Sequence, residues 1–145
     1  MLVVDTNVLV YAADRDCPEH ANCRRVLDEA RAGSLPWHLT WTTIYEFLRV
    51  VTHPRVFRKP WSIVKAWEFV DVLLASPSLS VLQETGHHAA TARSVMGAVA
   101  GLRGNAVHDA HIVALMREHG VRRVCTRDAE FHRFDAIEVV DPLEP

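Results

Sequence analysis

An α/β fold, with a mostly parallel sheet sandwiched by helices, is predicted by three features of this sequence. The chain opens on an apolar run, Leu2-Val3-Val4, that drives into Asp5 and then turns helical. An unbroken apolar run of this kind reads as a strand buried on both faces. Short apolar runs then alternate with helix-period segments to the end of the chain, which is the pattern of β-α units around a parallel sheet. The length of 145 residues suits one domain, 1–145, with a core of ordinary size.

The elements follow in order. After the first strand, Asn7 to Ala13 reads as a short helix. Pro18 fits the first turn of the next helix, which runs to about Arg31 and stops at Gly33. Trp37 to Trp41 is a short strand, and Thr43 to about Val51 a helix ended by His53-Pro54. Pro60-Trp61-Ser62 starts another helix that runs to about Ala75, before Pro77. Leu79 to Leu82 is a strand, and Thr85 to about Val99 a helix that leads into Gly101-Leu102-Arg103-Gly104. Asn105 caps a helix ending at Gly120, Val121 to Thr126 is a strand, and Ile137 to Val140 is another.

Composition narrows the class. The chain is 49% hydrophobic and 23% charged, with a net charge of −2. That balance reads as soluble and globular and argues against strong non-specific nucleic-acid binding. No apolar stretch approaches the ~20 residues of a membrane helix. Met1-Leu2-Val3-Val4 has no basic flank and meets an acid at once, unlike a secretory leader. Cys17, Cys23 and Cys125 have no zinc-type spacing and read as free thiols. A cytoplasmic protein is therefore expected.

Four acids can be argued onto one edge of the sheet. Asp5 and Asp128 each follow a predicted strand, while Glu46 and Asp109 lie near helix starts. In an α/β layer those positions share the edge where open sheets bind ligands. Each acid also has a plain structural reading. Asp5 can cap the following helix. Thr43-Ile44-Tyr45-Glu46 matches a capping box, Asp109 complements a helix dipole, and Asp128 can cap the turn Ala129 to His132. The conjunction argues for more. Two unit charges ~4 Å apart repel by roughly 4 kcal/mol at an effective dielectric of ~20, so four carboxylates together call for a cation. Oxygen-only ligands suit Mg²⁺ or Mn²⁺, as one ion or two, and such a site points to phosphoester chemistry.

Asp5-Thr6-Asn7, the Glu46 helix, His108-Asp109-Ala110-His111-Ile112-Val113-Ala114 and Thr126-Arg127-Asp128, in that order, resemble the PIN-domain ribonucleases, and most closely the VapC-type toxins of bacterial toxin–antitoxin pairs. The resemblance covers essentially the whole chain. It implies a PIN-like three-layer α/β/α sandwich and metal-dependent endonucleolytic cleavage of RNA by a metal-activated water. It makes Asp5 and Asp109 the main metal ligands, with Glu46 and Asp128 completing the site directly or through water. Asn7 and Thr126 match polar positions that orient those groups. The resemblance also implies an antitoxin partner that docks a helix, and it admits a homodimer.

Contacts to RNA are read from the residues. Arg58 and Lys59, near Arg55, are interleaved with Phe57 and Trp61, a pattern that suits single-stranded RNA; the same stretch also reads as a solvated loop. Arg103 lies close in sequence to the acids and can meet a phosphate. Among the nine histidines, His108 and His111 are three apart on one helix, but no third ligand stands at a telling spacing. A haloacid-dehalogenase-type phosphatase would need a second Asp where this chain has Asn7. A PIN-like module that binds RNA or protein without cutting is the other alternative, separated from an enzyme by metal-dependent cleavage.

Overall fold

The computed structural model describes residues 1–144. Strands β1 (Leu2–Val4), β2 (Trp37–Thr40), β3 (Leu79–Leu82), β4 (Arg123–Cys125) and β5 (Glu138–Val140) form a single sheet in the order β3-β2-β1-β4-β5. All four pairings are parallel, with Val3 opposite both His38 and Val124, and Val4 opposite Cys125. Around the sheet lie α1 (Thr6–Ala13), α2 (His20–Ala32), α3 (Trp41–Thr52), α4 (Ile63–Leu74), α5 (His88–Gly97), α6 (Ala106–Glu118) and a 3-10 turn, Ala129–Arg133.

Side-chain alternation along the strands divides the core in two. Val4 and Cys125 face a cluster with Val8, Leu9, Leu27, Ile44, Phe47 and Val70, contributed by α1 to α4. Val3 and Val124 face the other way, into a cluster with Val95, Ile112, Leu115 and Phe131 from α5, α6 and the 3-10 turn. A strand with side chains buried on both faces must be apolar throughout, which is why β1 reads as an unbroken run. The predicted three layers are therefore present.

The differences from the sequence reading lie at element ends, and each has a local cause. Helix α3 starts at Trp41, two residues before Thr43, because the Thr40 hydroxyl caps it by accepting the Thr43 amide at 3.1 Å. Helix α5 starts at His88 rather than Thr85, because the backbone amide and hydroxyl of Thr85 are held outside it by the Glu118 carboxylate. Asn105 precedes α6 but makes no side-chain cap bond. Val121 is not in a strand: Gly120 takes a φ of +67°, and the Val121 amide then closes the end of α6 on the Met116 carbonyl. Helix α4 starts just after Pro60-Trp61-Ser62, where the Ser62 hydroxyl caps it by accepting the Lys65 amide at 3.1 Å. Among the described residues no helix is long and apolar enough to cross a membrane, and the three cysteines are free.

The strand order positions the site. From β1 the chain builds outward to β2 and β3 on one side, then crosses to β4 and β5 on the other. The switch falls between β1 and β4, and a crevice opens beyond the carboxyl ends of two strands that diverge in this way.

Candidate active site

Asp5 follows the last residue of β1 at that crevice and is 6% exposed. One carboxylate oxygen accepts the Thr6 amide at 2.7 Å, so Asp5 does cap α1. The other accepts from Asn7 Nδ2 and from Thr126 Oγ1, both at 2.8 Å. Thr126, fully buried beyond the end of β4, uses its whole hydroxyl: it donates to Asp5 and accepts from Asn7 Nδ2 at 2.8 Å and the Asp128 amide at 2.9 Å. Asn7 is used as completely, since its Oδ1 accepts the Arg127 amide at 3.2 Å. This network ties the ends of β1 and β4 together across more than a hundred residues of sequence, and it leaves the Asp5 carboxylate a single orientation.

The other acids arrive on three further elements. Glu46, on α3, accepts a hydrogen bond from Thr6 Oγ1 at 2.9 Å and stands 3.8 Å from the Arg49 guanidinium. Its capping-box reading fails, because Thr43 lies inside the helix and Thr40 is the cap. Asp128 caps the 3-10 turn, accepting the Glu130 amide at 2.9 Å. Asp109 sits in the first turn of α6, half-buried.

The charges of these acids act on one another. Burial pushes the Asp109 carboxyl up to about 7, and the charges of Asp5, Asp128, Glu46 and Glu130 push it the same way. Burial likewise raises Asp5 to about 6, against the lowering effect of its bonds to Thr126 and Thr6, with Glu46 and Asp128 adding to the rise. Hydrogen-bonded carboxylates usually titrate low, so here desolvation and mutual repulsion win. A divalent cation would offset both shifts by favouring the ionised carboxylates. The donor set is all oxygen, which fits a hard ion. Among the described residues no three of the four acids bring ligand atoms within 4.8 Å of one another; the one group that does is Glu84, His88 and His111. The acids therefore suit a divalent cation that keeps part of its water shell.

A PIN domain model matches residues 2–137 of the chain. The chain belongs to the PIN domain family. Ribonuclease VapC48 of Mycobacterium tuberculosis is 34% identical to it over 139 residues, 96% of this chain and 95% of that protein. The crystal structure of M. tuberculosis VapC20, a sarcin–ricin loop cleaving toxin, superposes with a TM-score of 0.66 at 17% identity, covering 91% of this chain and 93% of that one. The structure of VapBC2 from Rickettsia felis, bound to a DNA fragment from its promoter, gives a TM-score of 0.66 at 14% identity, covering 96% of each chain. At those identities the two structures speak for the fold alone, and that fold is the PIN sandwich.

This PIN domain does not gather all the residues singled out from its sequence. Arg103 is exposed in the turn that leads into α6, at the same edge as the acids. Arg58 and Lys59 are not at that edge. They follow the far end of α3, and Lys59 pairs at 2.9 Å with Asp16, beyond the far end of α1. The 8 residues of α1 separate Asp16 from Asp5 by about 12 Å. Phe57 and Trp61 are not free to stack on RNA bases. Phe57 is 6% exposed, and Trp61 packs edge-on against Phe47, Phe57 and Phe69, so these rings build the core under the loop. Two contributors escaped the sequence reading: Thr6, which anchors Glu46, and Glu130, whose charge reaches Asp109. Thr6 lies inside the Asp5-Thr6-Asn7 motif, so its position was visible while its partner, 40 residues away, was not.

Proposed function

We propose that this PIN domain, formed by the whole chain 1–145, is the endoribonuclease toxin of a toxin–antitoxin pair. Asp5, Glu46, Asp109 and Asp128 are its catalytic acids. The observation that carries the reading is the gathering of these acids around a buried, rigidly bonded Asp5 at the β1/β4 crevice, which makes a cation part of the working site. The name of a relative 34% identical over 96% of the chain, Ribonuclease VapC48, supports RNA as the substrate.

The residues divide the work. Asp5 and Asp109 are the direct ligands of Mg²⁺, or of Mn²⁺ in its place, as one ion or two. Glu46 and Asp128 complete the site directly or through water. When bound, the ion supplies Lewis acidity, easing loss of a proton from a water and offsetting charge that develops on the phosphate. Thr126 and Asn7 hold the Asp5 carboxylate in orientation, and Thr6 does the same for Glu46. Arg103, exposed beside the start of α6, pairs with a substrate phosphate. Arg58 and Lys59 can meet only an RNA long enough to reach the opposite edge. The cytoplasm, a homodimer and an antitoxin are parts of the same reading. A groove of about 1020 Å³ between the end of α1, α2 and α4 is lined by Arg24, Phe57, Trp61, Lys65, Phe69 and Val72. It offers an amphipathic antitoxin helix apolar contact at Val72 and a rim of both charges, with Asp14, Asp16 and Glu68 beside Arg24 and Lys65.

Denaturing electrophoresis of total RNA incubated with the partner-free protein tests this. Discrete fragments are expected with Mg²⁺ or Mn²⁺ and none with EDTA. Intact RNA after incubation with folded, metal-supplied protein would instead identify a binding module without activity.

A further inference from the structure

Beside the acidic crevice, at the edge over β2 and β3, the structure gathers a second donor set of different chemistry. Glu84 follows β3, His88 is the first residue of α5, and His111 lies on α6. One ligand atom from each falls within 4.8 Å of the others. The two imidazoles meet edge to face, 5.2 Å between centroids. His108, the expected companion of His111, is exposed and outside this group.

Each ring is held from behind. His88 Nδ1 is 2.7 Å from Glu118 Oε2, whose side chain is 2% exposed and also accepts the Thr85 amide and hydroxyl. His111 Nδ1 is 3.0 Å from Thr42 Oγ1 at the start of α3. With Nδ1 engaged on both rings, Nε2 is the nitrogen left to a ligand on His88. His111 Nε2 already faces Glu84 Oε1 at 2.9 Å. A ring whose rear nitrogen is fixed by a carboxylate or hydroxyl is the usual support of a metal-binding histidine. The Glu84 side chain is 53% exposed, so the group opens to solvent on one side.

We propose that Glu84, His88 and His111 form a binding site for a borderline transition-metal dication, Zn²⁺ above all, separate from the acidic centre. Two imidazoles and one carboxylate make a donor set that Zn²⁺ takes readily, with a fourth position for water, and that Mg²⁺ does not seek. The existing Glu84–His111 bond gives way to two bonds to the ion, so the chain needs only side-chain adjustment to bind. The site joins the β3–α5 turn to α6. Asp109 and His111 are two residues apart on α6, about 200° around the helix, so the same turn serves the acidic crevice on one side and this site on the other.

The test uses the untagged full-length protein with Zn²⁺ as the probe and Mg²⁺ in excess throughout. One equivalent of Zn²⁺ is expected to bind in competition with a chromophoric chelator. Titration followed by ¹⁵N signals of the imidazole rings is expected to move two rings of the nine, those of His88 and His111. His88→Ala and His111→Ala should each weaken binding at least ~10-fold, and Asp5→Asn with Asp109→Asn should leave it unchanged. The ring signals of the wild type decide the matter even where a histidine variant fails to fold. No uptake by folded wild-type protein, shifts in other histidines, or binding lost with Asp5 and Asp109 instead would each overturn the assignment.

Discussion

Asp5 caps a helix, and its hydrogen bonds and its burial pull its charge in opposite directions in the metal-free protein. The α1 amide and the Thr126 hydroxyl favour the ionised form, yet burial leaves its pKa near 6, and Asp109 stands near 7. An acid whose folded pKa lies above its unfolded value, here 3.8 for both, stabilises the fold below that lower value and loses the contribution as pH rises through the higher one. Thermal melts in EDTA should therefore show Tm falling between pH 5 and pH 8 as these two acids ionise. Asp109→Asn should flatten that fall and melt higher than wild type at pH 8 in EDTA. Saturating Mg²⁺ should then reverse the order, because only an intact ligand set gains from the ion. A pH-independent Tm shared by both proteins would show that the acids do not oppose one another. At this scale Asp5 was legible because it ends an apolar run, and Asp128 because it follows a predicted strand. The bonding of Thr6 to Glu46 was not, since a hydroxyl's partner is chosen by tertiary approach and leaves no local pattern.

Helices bring the remaining acids in, and their starting points decide where those acids stand. Thr40 is completely buried, accepts the Thr43 amide and donates to the Thr43 hydroxyl at 3.0 Å. It thereby caps α3 three residues earlier than the capping-box pattern indicates, and it puts Glu46 in the helix interior within reach of Thr6. Thr40→Ala should cost about 1–2 kcal/mol in urea unfolding, the upper range for a lost helix cap. A loss under a few tenths would mean that packing alone sets the start of α3. Where one signal dominates, as at Ser62 or Leu79–Leu82, the elements matched the sequence closely. They differed where distant groups intervened. The Glu118 carboxylate holds Thr85 outside α5, a pairing across 33 residues that periodicity does not encode. The aromatic residues Phe57 and Trp61 misled for a related reason. Interleaving with Arg58 and Lys59 describes a loop in sequence, whereas Phe47 and Phe69 beneath it claim the rings.

For the molecule as a whole, alternation of strands and helices was enough to infer a parallel sheet with helices on both faces. The order β3-β2-β1-β4-β5 was not, because parallel strands of similar apolar character carry no label for their neighbours. That order makes the ends of β1 and β4 adjacent, and so explains why residues 5, 7, 126 and 128 form one bonded group. The family match over residues 2–137 agrees with the ordered motifs rather than with any one of them. We propose that this group, centred on Asp5, cuts RNA with a divalent cation. The most direct test is the cleavage rate of an RNA fragmented by the wild type, measured for Asp5→Asn in Mn²⁺ after circular dichroism has shown the variant to be folded. No cleavage above the EDTA control is expected if Asp5 holds the cation. Cleavage by the folded variant at the wild-type rate would contradict it.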